Sequence, residues 1–510
     1  MRLALSYKLP EDDLMNIGFH RFVPILVLAV LPLRAHADLK HAQSAYERGE
    51  YQASAEELAQ LAKSGDVGAQ FLLGESYEKG RGVVQDYAEA LKWYSKAAEQ
   101  NQLQAQEVLC SSYFFGETGA KQDFAQAAKL CKSAGKQNKA YPAYLAGYLY
   151  EFGKGVEKDL AQAAELYKVA AAAANVDAQE ALGRMYFFGQ GVKQDYAEAA
   201  RWNRPAAEQG RAFPQFLLGY AYDWGQGLQK DPAQALIWYR KAAEQNEARA
   251  MSALGYLYAQ GTGVQQDDAE AVKWYLKAAA KGESSVYGAL GWSYYQGKGV
   301  AVNAQEAMKW FAKAAEGGDV QSQFMVGFLN ESGKAGARNA AEAAKWYRKA
   351  AEQGNTDAVA ALGRLYFSGD GLPADYAQAA VWYKKLADAS DTQAQYLLGY
   401  IYESGKNGVS ADPAQAAKYY KPAAEKGHPL AQFHLGWLLF EGKGVPADPM
   451  LGYMWSNLAV AQLSGEERVA AEKQRDYIAS KLTPEQLSKA QQLARDFKPA
   501  PAPTASSLQR

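Results

Sequence analysis

A period of 36 residues runs through most of this 510-residue chain, and it restricts the fold to a stack of repeated units. One copy reads FLLGESYEKGRGVVQDYAEALKWYSKAAEQ, from Phe71 to Gln100. Its glycine returns at Gly74, Gly147, Gly183, Gly219, Gly255, Gly291, Gly327, Gly363, Gly399 and Gly436, with Cys110 in the glycine's place in the second copy. Eight of the ten intervals are 36 residues and two are 37. A unit this short cannot bury its apolar face alone, so copies must stack and the core grows lengthwise. Stacking also accommodates a length that exceeds what one hydrophobic core supports.

Each copy spells two helices. Ala69, Leu72, Leu73 and Tyr77 recur at three- and four-residue spacing and mark an amphipathic first helix. Gly80-Arg81-Gly82-Val83 interrupts it, and Asp86 then caps a second helix. Glu89, three residues on, predicts a capping box, a pairing repeated at Asp123/Gln126, Asp159/Gln162, Asp195/Glu198, Asp231/Gln234, Asp267/Glu270, Asn303/Glu306, Asn339/Glu342, Asp375/Gln378 and Asp412/Gln415. Pro232, Pro413 and Pro449 follow the cap, where the missing N–H is harmless. The second helix is expected to end on a left-handed residue at Asn101, Asn138, Gly210, Asn246, Gly282, Gly318, Gly354 and Gly427, all Gly or Asn. Trp93, Trp202, Trp238, Trp274, Trp310, Trp346, Trp382 and Trp455 share one second-helix position, read as packing. Pro205 and Pro422 fall inside second helices and predict kinks. Copy eight departs at Asn330, Ala335 and Gly336, so its turn should differ.

This pattern, A-x-x-x-L-G-x-x-Y-x-x-G-x-G-V-x-x-D-x-x-x-A-x-x-W-Y-x-K-A-A-x-x-G, resembles the Sel1-like repeat, a relative of the tetratricopeptide repeat. The resemblance covers residues 67–463 in eleven copies. It implies an all-α fold, a right-handed superhelical solenoid of stacked helix-turn-helix repeats. It also implies a non-enzymatic scaffold that binds a protein or peptide along its concave face, in envelope assembly, signalling or host interaction. Residues 38–66 look like a tetratricopeptide-type capping hairpin, 464–497 read as two C-terminal capping helices, and 498–510 as a disordered tail.

The first 37 residues read differently. Phe22–Leu33 is an apolar run too short to span a bilayer, and Ala35-His36-Ala37 offers a small-x-small cleavage site. A signal peptide over 1–37 is expected, with export to the periplasm or beyond and no transmembrane span in the mature chain; an uncleaved anchor is the alternative. Met15 opens a more ordinary leader than Met1 does, and the start is expected there. In an oxidising compartment the only two cysteines, Cys110 and Cys131, are a disulfide pair or two buried thiols. Cys131 aligns with Tyr94 of the first copy.

Little in the sequence carries chemistry. The 55 basic and 56 acidic side chains nearly cancel, and no basic run marks a nucleic-acid partner. The G-x-G-V elements follow a helix rather than a strand, so they are turns and not phosphate loops. His41, His428 and His434 are the histidines after residue 37, too few for a triad or metal set. No catalytic, cofactor or metal residue is assigned. Some cysteine-rich relatives are described as β-lactamases or penicillin binders, but their cysteine pattern differs. The recognition strip is expected at the residue after each glycine: Tyr148, Tyr220, Tyr256, Trp292, Phe328, Tyr400 and Trp437, with Arg184 and Arg364 as polar anchors. One turn on lie Phe187, Asp223, Tyr295, Glu331, Phe367 and Glu403. Burial of these rings between neighbouring first helices is the competing reading. Aromatic side chains also stack on sugars, so a glycan-binding envelope component linked to exopolysaccharide is the second function.

Overall fold

The computed structural model describes residues 33–500, with side chains from Leu39 onward. The expected leader up to residue 32 and the last ten residues lie outside the described part. All 26 regular elements of the described residues beyond one short 3₁₀ turn are α-helices, from α1 (Leu33–Glu47) to α26 (Pro484–Asp496). The chain divides into two compact units between Gly282 and Glu283.

The first unit holds a hairpin of α1 and α2 (Tyr51–Lys63), then six copies of the repeat. α1 begins before the expected cleavage point after Ala37, because Leu-Arg-Ala-His continues the good helix formers of Ala37–Glu47 backwards. The second unit holds five copies followed by α25 (Gly465–Ala479) and α26, both against α24 (Pro449–Gln462). Within each unit the helices of the repeats pack on their sequence neighbours, and first helices of several successive copies also touch. The fold is an all-α stack of helical hairpins.

The hairpin closes through one bond. The Asp86 N–H donates to the Tyr77 carbonyl at 3.0 Å, and the equivalent bond recurs in every copy. Copy eight makes it from Asn339 to Asn330 at 2.8 Å. This bond explains why the capping boxes are only half made. The Asp86 carboxylate accepts from the N–H groups of Ala88 and Glu89, but the cap's own N–H is already engaged and cannot receive the Glu89 side chain. Glu89 turns instead to Lys92 at 2.7 Å, as Glu270 does to Lys273 and Glu342 to Lys345. Among the described residues the reciprocal box forms only at Thr483 and Gln486 ahead of α26, in chain outside the repeat.

Other expectations change in detail. Ala174 and Ser390 take the left-handed C-cap conformation with φ of 61° and 69°, so the stack imposes it on residues that resist it. α10 (Tyr196–Glu208) and α22 (Pro413–Glu425) run unbroken through Pro205 and Pro422, each 13 residues long like its counterparts. Copy eight does differ: Gly336 adopts φ 159° and the second left-handed turn glycine is absent. In six other copies that glycine meets backbone; a Cβ on Gly191 would fall 2.2 Å from the Leu160 carbonyl oxygen. The segment from Lys498, expected to be disordered, is held as far as Ala500. Phe497 packs edge-on against Trp455 at 5.1 Å, and the Ala500 N–H donates to Glu425 O at 2.8 Å.

The tryptophans pack as expected and gain a lid. Lys96 lies 4.2 Å from the Trp93 ring centre, and Lys241, Lys277, Lys349 and Lys385 repeat this at 3.9–4.3 Å over Trp238, Trp274, Trp346 and Trp382. Residues three apart on a helix face each other, so the W-Y-x-K spacing places an ammonium over an indole face.

Candidate functional site: the first-helix face

The site is built on a seam between the two helices of each copy. The first-helix glycine receives the ring of the second-helix tyrosine: a Cβ on Gly74 would meet the Tyr94 ring at 2.8 Å. The same contact joins Gly147 to Tyr167, Gly219 to Tyr239, Gly327 to Tyr347 and Gly399 to Tyr420. A ring seated there carries its hydroxyl to the residue four positions beyond the glycine. Tyr94 accordingly donates to Glu78 at 2.6 Å, Tyr167 to Glu151 at 2.8 Å, Tyr347 to Glu331 at 2.8 Å and Tyr420 to Glu403 at 2.7 Å. Tyr239 reaches Asp223 at 3.4 Å. Burial first, then the neighbouring carboxylate, pushes the Tyr94, Tyr347 and Tyr420 hydroxyls above their usual range. Asp223, Glu331 and Glu403 are therefore each engaged by the tyrosine of their own hairpin.

In copy two the same seam is a disulfide. Cys110 replaces the glycine and Cys131 the tyrosine; the sulfurs are bonded, the Cα atoms are 4.9 Å apart, and both side chains are fully buried. Copy four puts Asn203 against Gly183, and its buried Oδ1 has no hydrogen-bond partner among the described residues. Glu180 lies on the same copy's first helix, and burial raises its carboxyl above the usual range against the pull of Arg211.

The strip residues come together as a half-open ladder. The ring four beyond one copy's glycine meets the ring just after the next copy's glycine: Phe114 with Tyr148 at 5.8 Å and Phe187 with Tyr220 at 5.2 Å in the first unit. In the second unit the pairs are Tyr295 with Phe328 at 6.4 Å and Phe367 with Tyr400 at 5.8 Å. Trp292 leans on Phe311 at 5.3 Å and Trp437 on Phe440 at 5.6 Å. Phe114, Phe187 and Phe311 are buried, the other rings are half-buried, and Tyr256 stands 44% exposed. The two readings of the strip thus combine: Phe114 and Phe187 are packed away between copies, whereas the half-buried rings pack one edge there and keep part of their surface open.

Arg184 is not an anchor. It is 6% exposed and forms a buried ion pair with Glu151 of the preceding copy, because the carboxylate beneath the strip needs a counter-charge. Arg364 repeats the geometry on Glu331 at 2.5 Å, but its side chain stays 52% exposed while the glutamate is 10% exposed. In the second unit the face encloses a groove of about 890 Å³, lined by Phe328, Arg364, Phe367, Tyr383 and Leu397 among others.

Two rows escaped the sequence reading. Gln70, Gln106, Gln179, Gln215, Gln323, Gln395 and Gln432 are buried and donate to the carbonyl of an alanine eight residues earlier, at 3.0–3.3 Å. Five of them pair with a glutamine 30 or 31 residues on, such as Gln245 to Gln215 at 2.8 Å. The recurring Ala-Gln dipeptide was the available signal. The second row lies three residues before the glycine, where Phe71, Tyr144, Phe216, Phe324 and Tyr396 cover the seam tyrosine with ring centres 5.5–6.0 Å apart.

A Sel1 repeat family model matches eleven segments, 67–102, 103–139, 143–175, 176–210, 215–247, 248–283, 287–319, 320–355, 356–391, 392–428 and 429–462. The chain belongs to the Sel1 repeat family. Among solved structures it is similar to c5321, described as a protective antigen present in uropathogenic Escherichia coli strains and displaying an SLR fold. The identity is 33% over 87% of this chain and 94% of that one, with a TM-score of 0.54. A Sel1 repeat protein from Oxalobacter formigenes is 34% identical over 50% of this chain and all of that one, with a TM-score of 0.40. No curated protein matches the chain. Sel1 repeats are typically protein-interaction scaffolds, and the first-helix face is where this chain's repeats leave aromatic surface open. Among the described residues no group of three or more His, Cys, Asp and Glu could hold a metal ion, and no helix is long and apolar enough to cross a membrane.

Proposed function

We propose that this Sel1 repeat protein is an exported, non-enzymatic scaffold that grips a protein or peptide partner along its first-helix faces. The observation that carries the reading is the half-open aromatic ladder. Its rings occupy positions that hairpin closure does not need, since the glycine–tyrosine seam and the cap bond already close each copy. Large apolar groups left with an open edge are the usual hot spots of recognition surfaces. Export rests on the leader read over residues 1–37, and the buried Cys110–Cys131 bond agrees with an oxidising compartment. The uropathogenic relative's description as a protective antigen agrees with it too.

The test is partner capture by cross-linking in envelope extract, comparing the wild type with Tyr256→Ala and Tyr400→Ala. Capture should fall about tenfold while the melting temperature moves by only a few degrees. Unchanged capture refutes the scaffold, and retention of the chain on purified envelope polysaccharide in place of protein replaces it with the glycan reading. Fractionation and N-terminal sequencing test export: a mature chain starting at Asp38 in the periplasm supports it, and a cytoplasmic chain with an intact leader ends it.

A further inference from the structure

In the second unit the row that covers the seam tyrosines has a gap. Phe324 lies over Tyr347 at 5.5 Å and Tyr396 over Tyr420 at 6.0 Å, but the copy between them carries Ala360. Tyr383, the tyrosine that Ala360 fails to cover, is consequently a wall of the groove, together with Phe324, Phe328, Phe367 and Leu397. Its hydroxyl is also unclaimed. In the copies on either side a glutamate four beyond the glycine accepts that hydroxyl, whereas here the position is Phe367, and among the described residues no group bonds to it.

We propose that this gap is a socket for one large apolar side chain of a partner segment that carries Lys or Arg beside it. The inference rests on the scaffold reading and names its partner's chemistry. Shape supplies the anchor: the groove lacks one aromatic side chain that its neighbours possess, and its floor is the exposed Ala360. Charge supplies the flank. The two cations on the rim are spoken for, Arg364 by Glu331 at 2.5 Å and Arg338 by Asp370 through a bidentate pair at 2.5 and 2.8 Å. Two carboxylates are not. Asp357, in the first turn of α19 (Thr356–Ser368), makes no ion pair among the described residues. Asp391 caps α21 (Thr392–Ser404) with one oxygen and leaves the other open. Each full negative charge outweighs the roughly half charge of the helix end it sits on, so this rim attracts cations. A neighbouring acid on the partner would meet repulsion there.

Ala360→Phe tests the socket without threatening the fold, because it rebuilds the Phe324–Tyr347 stack over Tyr383. The probes are short fluorescein-labelled peptides in a common Gly-Ser frame with cores Lys-Trp-Lys, Glu-Trp-Glu and Lys-Ser-Lys, titrated by anisotropy against the full mature chain. The Lys-Trp-Lys peptide should saturate. The other two should bind about tenfold more weakly or worse. Ala360→Phe should weaken the first about tenfold with an unchanged or higher melting temperature. Asp357→Asn combined with Asp391→Asn, which keeps the cap, should erase the preference for basic over acidic flanks.

Equal binding of Glu-Trp-Glu or Lys-Ser-Lys overturns the proposal, as does failure of Lys-Trp-Lys to saturate or wild-type affinity in Ala360→Phe. If the socket fails while capture of a protein remains sensitive to Tyr400→Ala, the scaffold stands without it. If capture ignores the ladder variants, the scaffold itself falls.

Discussion

Removing the disulfide should loosen one stretch of the stack, and a consensus pair should mend it. Cys110 and Cys131 are 21 residues apart and occupy the seam that glycine and tyrosine hold elsewhere. Opening a loop of that size restores chain entropy worth about 3 kcal/mol in the unfolded state. In Cys110→Ala/Cys131→Ala that loss is joined by the packing of two fully buried sulfurs. A long stack of repeats does not unfold in one step, so a global midpoint would dilute the effect. Amide hydrogen exchange localises it. Exchange in α5 (Leu103–Phe115) and α6 (Phe124–Lys136) should quicken by about 100-fold, the equivalent of roughly 3 kcal/mol, while the second unit is unchanged. Reductant should reproduce this in the wild type and do nothing further to the variant. Cys110→Gly/Cys131→Phe should then recover much of the protection, since it copies the Gly291–Phe311 pair already present in copy seven. Phenylalanine is preferable to tyrosine because Phe114 stands where the hydroxyl would need an acid. Equal exchange in oxidised and reduced protein would refute the entropy argument. A Gly/Phe variant as labile as the Ala/Ala variant would refute the equivalence of the seams.

Three further outcomes follow from the same geometry. Arg184→Ala strands the buried Glu151 carboxylate and should cost about 3 kcal/mol of local stability, read by amide exchange in the helices that carry the pair, and Arg184→Met with Glu151→Gln should recover most of it. Ala174→Gly relieves a left-handed alanine at φ 61° and should stabilise by about 1 kcal/mol, whereas no gain would show the residue unstrained. The Glu180 carboxyl, raised mainly by burial, is penalised when ionised, so Glu180→Gln should stabilise the protein at pH 7. That advantage should shrink as pH falls through the raised folded value and vanish below the unfolded value of 4.5; a gain that persists at pH 3 would exclude titration as its cause.

The helix pairs were legible because their signals are local and repeated. Asp86 as a cap, Gly80 as a stop and the spacing of Ala69, Leu73 and Tyr77 act within one or two turns, and they mean the same thing in each copy. The disulfide was visible as an alignment, Cys110 against glycine and Cys131 against Tyr94. What stayed hidden depends on a partner one copy away. Nothing local says that the Asp86 N–H is taken by Tyr77, so the capping box looked complete when only half could form. Arg184 resembled an anchor because its partner, Glu151, lies 33 residues back. Ala360 is unremarkable alone and becomes informative only once Phe324 and Tyr396 are seen to fill the same place. Ala174 shows the converse: its sequence argues against the left-handed turn, and the spacing of the stack overrides it.

The bond that fastens each cap to the end of the preceding helix has a consequence for how such a chain varies. In the two copies with an added residue, Asp123 still donates to Tyr113 at 2.9 Å and Asp412 to Tyr402 at 2.8 Å. The spare residue lies between two fixed points, and the helices it joins are as long as the others, 13 residues each. The added residue is thus absorbed within the turn, and neither helix gains or loses a residue. Length can be let out there one residue at a time, and a reporter loop or epitope spliced ahead of Asp123 or Asp412 would ride on the stack without altering its register.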